Sequence, residues 1–245
     1  MYWLSNESVE HFPTHILRHL YQPPFAEYFI LHINLLNGND YLSNSVQWLF
    51  LIFTIVSIWA LLDYFKVSIF YKLLAAFLII TIPTAELQAS TTKNDIVCAF
   101  FIIAALYFSI KTYYEDNLKN YIFLGMAIGL AMLTKGTSYI FLAPVLLFFG
   151  IFTIYKLIKT KNYKILPHGF LLIFVVLLIN FGHFSRNYKI NNDILNIDET
   201  EAKMYSNDTM NASFLFSNFL KNVGFHLGYP ILKESDILIK KFMKI

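Results

Sequence analysis

The stretch AMLTKGTSYIFLAP, residues 131–144, decides the fold of this chain. Apolar segments precede and follow it, and only the turn Thr134-Lys135-Gly136-Thr137 separates them. Two apolar segments joined by so short a turn indicate a helical hairpin, because a helix satisfies its own backbone hydrogen bonds inside a membrane. The lysine in this turn is either a headgroup anchor or part of a site.

The composition of the whole chain favours a membrane protein. Of the 245 residues, 57% are apolar, 18% are aromatic and only 14% are charged, and the mean hydropathy is +0.53. A soluble domain carries roughly 25% charged residues. The net charge is only +3, and no basic block with interleaved aromatic residues points to nucleic acid. A single cysteine, Cys98, excludes a disulfide framework and a cysteine-rich metal site.

Hydropathy predicts an all-α polytopic membrane protein with about six transmembrane helices and one interfacial helix. The predicted spans cover residues 46–63, 69–88, 95–113, 119–134, 137–155 and 165–184. Residues 24–37 are too short to cross a bilayer and carry Glu27, His32 and Asn34. A short apolar segment with polar residues is typical of a helix at the membrane interface.

The predicted spans divide the chain into three regions. Residues 1–45 form an external loop with the interfacial helix, and residues 46–184 form the transmembrane helical domain. Residues 185–245 form an external loop and tail. The tail segment ASFLFSNFL (212–220) is apolar enough to lie on a surface but is not predicted to span the membrane.

The distribution of lysines predicts the orientation of the bundle. Three loops on one side contain Lys66, Lys72, Lys111, Lys119, Lys156, Lys159, Lys161 and Lys164. Before the tail, the other side has only Arg18, Lys93 and Lys135. Because cytoplasmic loops carry an excess of Lys and Arg, the lysine-rich loops are predicted to lie in the cytoplasm. The opposite loops are predicted to face outside.

Residues able to do chemistry collect on the predicted outer face. They are His15, Arg18, Gln22, Lys93, Asp95, Lys135, His183, Arg186 and Asn187. Basic side chains there suit a phosphate at headgroup depth, because Arg and Lys stabilise a phosphate leaving group. A nearby carboxylate can deprotonate or orient a hydroxyl. The pattern favours group transfer from a lipid-linked phosphate donor.

Simpler structural roles stand beside these functional ones. Lys135 can serve as a snorkelling anchor, Asp95 as a helix N-cap, and Arg186 as a contact for anionic lipid headgroups. His11, His15 and His19 are spaced four residues apart and could form a metal-binding face, although no carboxylate completes the set.

One glycine pair predicts helix packing. Gly125 and Gly129 form a GxxxG pattern within the fourth predicted span. This pattern lets two membrane helices approach closely, because glycine has no side chain between the backbones. We therefore expect a second helix against this face.

Four segments together resemble a known family. They are QPPFAEYFILHINLLNG (22–38), STTKNDIVCAFFIIAALYF (90–108), GMAIGLAMLTKGTSYIFLAPVLLFF (125–149) and HFSRNYKINND (183–193). Their order and spacing resemble the GT-C glycosyltransferases that use polyprenyl-phosphate sugars, a group that includes protein O-mannosyltransferases and aminoarabinose transferases. The resemblance covers residues 1–195.

The resemblance implies a function and a place in the cell. Such enzymes are multi-pass proteins of the bacterial cytoplasmic membrane, and they act on its extracytoplasmic face. They move a sugar from a polyprenyl-phosphate donor to a lipid, glycan or protein acceptor with inversion of configuration. Membrane lipids surround them, and no nucleic acid takes part.

The resemblance also implies roles for individual residues. Asp95 matches an acidic residue of the family and is the predicted catalytic residue, while a divalent metal beside it stays an open alternative without an assigned ligand set. The predicted donor-phosphate ligands are Lys135 of the TKG turn, Arg186 and Arg18. The predicted substrate-binding residues are His15, Gln22, Lys93 and Asn187.

Two departures from the family are visible. Relatives begin with a span and an acidic residue at the start of the first external loop, whereas Met1 falls inside that loop here. Glu7 and Glu10 lie at a different place in the loop. Relatives also continue through further spans, so we interpret the chain as an internal fragment.

The alternative functions are a lipid or glycan transporter or flippase subunit, and a remnant without activity.

Overall fold

A computed structural model describes residues 2–16, 18–195 and 211–227. Every regular element in these ranges is a helix. In chain order they are α1 (Tyr2–Ser5), α2 (Arg18–Tyr21), α3 (Phe25–Asn37), α4 (Ser45–Tyr64), α5 (Ile69–Thr81), α6 (Pro83–Ala89), α7 (Asp95–Tyr114), α8 (Leu118–Thr134), α9 (Ser138–Thr160), α10 (Ile165–Asn191) and α11 (Ala212–Leu227).

Helices stand at all six predicted spans. Four of them, α4, α7, α9 and α10, are long and apolar enough to cross a membrane. α8 is apolar but has 17 residues, which is at the lower end of the roughly 17–25 residues that a span needs. The predicted class, an all-α polytopic membrane protein, is confirmed.

The second predicted span is broken into two helices. α5 and α6 meet at an angle of 66°, and the break lies at Ile82 and Pro83. Ile82 has an extended backbone (φ −68°, ψ 114°), because a residue before proline is pushed out of the helical region. Pro83 then starts α6, where its missing N–H leaves no helical bond unmade.

The last predicted span is longer than the hydropathy indicates. We predicted its end at residue 184 and a loop after it, but α10 continues to Asn191. No proline interrupts this polar stretch, and the helix ends only at Asn192, which adopts a left-handed conformation (φ 54°). The prediction of a loop directly after residue 184 is therefore wrong. His183 and Asn187 consequently lie on one helical face.

The glycine pair packs α8 against α10, as predicted. A Cβ atom on Gly125 would lie 2.9 Å from the carbonyl oxygen of Leu172, and one on Gly129 would lie 3.0 Å from the Cδ1 of Ile179. The same approach lets Asn180 Nδ2 donate to the carbonyl oxygen of Gly129 at 3.0 Å. α8 is thus held directly against α10, and its other side packs on α7.

The candidate site residues come together because successive helices of the bundle alternate in direction. The connections between α6 and α7 and between α8 and α9 lie at the same end as the C-terminus of α10. The predicted interfacial helix is confirmed as a helix, α3, and it packs on α4 and α8. The tail segment is also helical, as α11.

Candidate functional site

A cavity of about 790 Å³ opens at the end of the bundle where α7 begins and α8 ends. It brings together five of the eight residues to which the sequence analysis assigned a role. These five are Gln22, Lys93, Asp95, Lys135 and Asn187. Residues 22 and 187 are far apart in the chain, so the fold has gathered the predicted residues into one site.

An ion pair forms the centre of this cavity. Lys135 Nζ donates to Asp95 Oδ1, and both side chains are about two-thirds buried, with 30% and 37% exposed. Asp95 is the first residue of α7, where the helix dipole favours a carboxylate. The N-cap of α7 is Asn94, so the alternative of Asp95 as an N-cap is wrong. Lys135 lies just after α8, and its ammonium group points to Asp95.

A second carboxyl, Glu27, lies in the same cavity. It belongs to α3, and its Oε1 accepts a 3.5 Å hydrogen bond from Asn94 Nδ2, which also donates to the carbonyl oxygen of Thr134 at 3.1 Å. Burial raises the pKa of Glu27 above its ordinary value, and hydrogen bonding and Lys135 only partly offset this. The sequence predicts that Glu27 lies in the interfacial helix but gives it no role. The one signal in the sequence is a carboxylate three residues after the Pro23-Pro24 step.

A buried glutamine fixes the start of α7 and hence the position of Asp95. Gln47 on α4 is fully buried. Its Oε1 accepts the backbone N–H of Ile96 at 2.9 Å, and its Nε2 donates to the carbonyl oxygen of Gln88 at 3.2 Å. The first N–H groups of a helix lack intrahelical partners. Gln47 therefore caps α7 from a neighbouring helix and ties it to α6.

The end of α10 forms the opposite wall. Asn187 Nδ2 donates to the carbonyl oxygen of Ile194 at 3.0 Å and lies 3.3 Å from His183 Nε2. Both side chains are buried, with 1% and 7% exposed. His183 lines the cavity although its sequence neighbourhood alone gave it no assigned role. The i, i+4 spacing of the two residues on α10 explains why they face the same way.

Several polar atoms around the cavity are buried without a partner. Among the described residues, no hydrogen-bond partner exists for Glu27 Oε2, Gln88 Oε1, His183 Nδ1 or Asn187 Oδ1. In native proteins most buried polar atoms form at least one hydrogen bond. A buried polar atom without a hydrogen bond costs free energy. Four such atoms around one cavity are therefore typical of a site that binds a polar ligand.

Two of the other three predicted residues, Arg186 and His15, lie outside the main cavity. Arg186 Nη1 donates to the carbonyl oxygen of Val9 at 2.7 Å, and the residue lines a neighbouring pocket instead of the main cavity. His15 is exposed and lines neither space. The side chain of Arg18 lies outside the described part of the structure. The structure thus does not bring Arg186 together with Lys135.

A metal site is not formed by the residues that the structure describes. Within residues 2–16, 18–195 and 211–227, no group of three or more His, Cys, Asp or Glu side chains is placed to hold a metal ion. His19 Nδ1 lies 3.4 Å from the hydroxyl of Thr14. In this part of the chain, the three N-terminal histidines therefore do not form the metal-binding face that their spacing allowed.

Comparison with known proteins identifies the family of the chain. No curated protein and no solved structure matches the chain. A family model described as dolichyl-phosphate-mannose-protein mannosyltransferase matches residues 21–181, well over half of the chain. The matched range contains Glu27, Asp95 and Lys135, and it includes all the helices from α3 to α9. The chain therefore belongs to the dolichyl-phosphate-mannose-protein mannosyltransferase family of membrane glycosyltransferases.

Proposed function

We propose that the protein transfers a sugar from a polyprenyl-phosphate donor to an acceptor on the extracytoplasmic face of a bacterial cytoplasmic membrane. The acceptor is a hydroxyl or amine of a lipid, glycan or protein. The observation that carries this proposal is the cavity at the helix ends, where an ion-paired lysine, a second lysine and two carboxyl groups meet. Family membership supports the same class of reaction.

The donor phosphate has two cationic partners in this proposal. Lys135 and Lys93 both line the cavity, and ammonium groups form strong charge-assisted hydrogen bonds to phosphate oxygens. Asp95 holds Lys135 at the start of α7. Arg186 is bonded to the backbone of Val9, so this proposal assigns the phosphate to the two lysines.

The reaction is a single displacement with inversion at the sugar. The acceptor oxygen attacks the anomeric carbon, and the bond from that carbon to the phosphate oxygen breaks with both electrons leaving on the phosphate. The acceptor proton passes to a carboxylate of the site. Polyprenyl phosphate is the leaving group, and cations aimed at its developing charge lower the barrier.

The position of the cavity fits a lipid-linked donor. It lies at the ends of apolar helices, where the phosphate of a membrane lipid would sit. The eight lysines of the other loops favour a cytoplasmic location for the opposite end of the bundle. The cavity then faces outside, where a polyprenyl-phosphate sugar can meet an acceptor of the cell envelope.

Removal of Lys135 tests the proposed function. We expect Lys135→Ala, in the full chain in lipid nanodiscs, to lower transfer from dolichyl phosphate mannose on the order of 10²–10³-fold, because a preorganised charge partner of the leaving group is lost. Lys135→Arg should retain part of the activity. Lys119→Ala is the matched control, because Lys119 is exposed at the opposite end of the same helix. Equal activity of Lys135→Ala and the control would rule out the assigned role.

Labelling of single cysteines tests the proposed face. Cys98 is buried, so an introduced cysteine dominates the reaction with a membrane-impermeant maleimide. Gly136→Cys places a thiol in the α8–α9 turn, and Lys161→Cys places one in the α9–α10 turn; both positions are exposed. On intact cells we expect labelling at position 136 and not at position 161. The reverse pattern would place the cavity in the cytoplasm.

A further inference from the structure

A second pocket adjoins the main cavity. It encloses about 220 Å³, and Gln22, Pro23 and Glu27 line both spaces. These three residues therefore form a shared wall between them. On the far side of this wall the pocket is lined by Trp3, His11, Phe12, His19, Leu20 and Arg186. We call it the aromatic pocket.

The chemistry of the aromatic pocket differs from that of the main cavity. Its aromatic faces come from Trp3 and Phe12, and no lysine of the described residues lines it. The Trp3 indole N–H donates to the carbonyl oxygen of Glu10 at 3.0 Å, which fixes the ring. Arg186 is likewise held by the carbonyl oxygen of Val9. The walls thus combine apolar ring faces with hydrogen-bonding groups in fixed positions.

Two buried polar atoms at this pocket have no partner among the described residues. They are His11 Nε2 and Glu27 Oε2. Burial, together with Arg186, lowers the pKa of His11 below its ordinary value, so its imidazole is neutral at neutral pH and can donate to or accept from a hydroxyl. A sugar complements these walls. Its hydroxyls can donate to or accept from the two unpartnered atoms, and its C–H faces can pack on the aromatic rings.

The size of the pocket restricts its occupant. Sites that enclose drug-sized ligands have volumes of roughly 300–1,000 Å³, so about 220 Å³ suits a single small ring. An extended peptide is commonly bound along a strand edge, and no strand occurs in residues 2–16, 18–195 and 211–227. Both considerations favour a monosaccharide unit over a polypeptide segment.

We propose that the aromatic pocket is the acceptor subsite for a monosaccharide unit of a glycan or glycolipid, and that Glu27 on the shared wall takes the proton from the acceptor hydroxyl. This inference rests on the proposed function, because it places the acceptor beside the donor cavity. The acceptor O–H bond breaks with its proton going to a Glu27 oxygen. The oxygen then forms the bond to the anomeric carbon while the bond to phosphate breaks.

The two carboxyl groups of the site differ in their availability for this role. The Asp95 carboxylate is bound to Lys135. The Glu27 carboxyl accepts a backbone hydrogen bond and the long 3.5 Å bond from Asn94, and its Oε2 has no partner in the described chain. A carboxylate that is not neutralised by a cation is the stronger base, and a raised pKa brings it closer to the working pH. Asp95 is then a positioning residue for Lys135.

Intrinsic fluorescence tests the subsite without any donor. The chain has three tryptophans, so Trp48→Phe/Trp59→Phe leaves Trp3 as the single reporter in the aromatic pocket. We expect saturable changes in Trp3 emission with at least one of methyl mannoside, methyl glucoside and methyl galactoside. In the same background, Leu20→Phe should weaken binding roughly tenfold by filling the pocket. Leu35→Phe is the matched control on exposed surface.

The fluorescence results can contradict the proposed saccharide subsite in three ways. No emission change with any of the glycosides would overturn the saccharide subsite. A response only to a serine-containing peptide would replace it with a protein acceptor. An unchanged response in Leu20→Phe would place the bound glycoside outside the aromatic pocket.

Activity separates the role of Glu27 from the proposed function. With dolichyl phosphate mannose and the glycoside that binds, we expect Glu27→Gln to lower kcat roughly 10²–10⁴-fold, with the KM for donor unchanged. Glu86→Gln is the control, because Glu86 is exposed on α6. An active Glu27→Gln variant would overturn the assignment of Glu27 alone. Glycoside binding by a wild-type chain that cleaves no polyprenyl-phosphate sugar would instead overturn the proposed function.

Discussion

The two ends of the bundle both carry an acid–base pair, but they use their polar groups differently. At the cavity end, Asp95 pairs with Lys135 beside about 790 Å³ of open space. At the opposite end, Asp116 Oδ2 accepts from Asn162 at 2.6 Å, and Asp116 Oδ1 lies 3.5 Å from His168 Nδ1. There the Tyr121 ring covers His168, with 5.1 Å between ring centroids.

This difference separates structural polarity from functional polarity. The Asp116 cluster connects the α7–α8 loop to the α9–α10 loop and the start of α10, so its side chains are used to join loops. The cavity end also has such a bond, from Gln47 to α7. Buried atoms without a hydrogen-bond partner among the described residues occur at both ends, and at the loop end they include Asp116 Oδ1 and His168 Nδ1. At the cavity end such atoms belong to residues that line the open space. The open space beside these atoms, more than charge itself, distinguishes the site from a loop connection.

Matched substitutions of the two aspartates should give the largest contrast. We expect Asp95→Asn to lower transfer on the order of 10²–10³-fold, because Lys135 loses its fixed position beside the donor phosphate. Asp116→Asn should leave activity within about threefold and lower the free energy of unfolding by about 1 kcal/mol. Transfer rates and thermal unfolding in the same nanodiscs measure both. Loss of activity in Asp116→Asn at unchanged stability would erase the distinction between the two ends.

Helix packing between the two ends predicts an effect on stability and not on the chemistry of the site. Gly125→Ala places a Cβ atom 2.9 Å from the backbone oxygen of Leu172, which cannot move without shifting α10. We expect a loss of about 1–3 kcal/mol. Gly150→Ala is the control, because Gly150 in α9 has open space around its added Cβ. That variant should be neutral or more stable by roughly 0.5–1 kcal/mol. Thermal unfolding in detergent compares the two, and equal melting temperatures would contradict the close packing.

Hydropathy and turn length predicted most of the fold from the sequence. The hairpin around Lys135 forms as expected, and the alternation of helices brings Asp95 and Lys135 to one end. Hydropathy did not predict the break at Pro83 or the extension of α10. Because it is averaged over a window of residues, it does not detect a single backbone bend or a polar helix. Local backbone chemistry, which hydropathy does not measure, determines both features.

The site was less predictable because it depends on side-chain direction. On an α-helix each residue is rotated by about 100° from the one before it, so Asn187 returns to the face of His183. Arg186 is turned by about 100° from Asn187 and reaches the aromatic pocket instead. Glu27 lies 67 residues from Asn94 in sequence, and only the packing of α3 against α8 brings it to the cavity. The spacing of residues along the chain shows neither the direction of a side chain nor which helices pack together.

The smallest expected effect concerns the contribution of Glu27 to stability. This side chain is expected to lower the stability of the folded state at neutral pH. Burial raises the pKa of Glu27 above its ordinary value of 4.5, so the ionised carboxylate destabilises the folded state at neutral pH. This penalty disappears as the pH falls through the raised pKa and below 4.5, where folded and unfolded states both bind the proton. Glu27→Gln removes the penalty, so we expect a higher melting temperature than wild type at pH 7 and no difference below the ordinary carboxyl pKa. Melting curves between pH 4 and pH 8 measure this, with Glu86→Gln as the exposed control. A Glu27→Gln variant that is more stable yet inactive would mean that the cavity end retains a destabilising charge for its chemistry. A less stable Glu27→Gln variant would instead mean that Glu27 stabilises the fold, as the polar residues that join loops at the opposite end do.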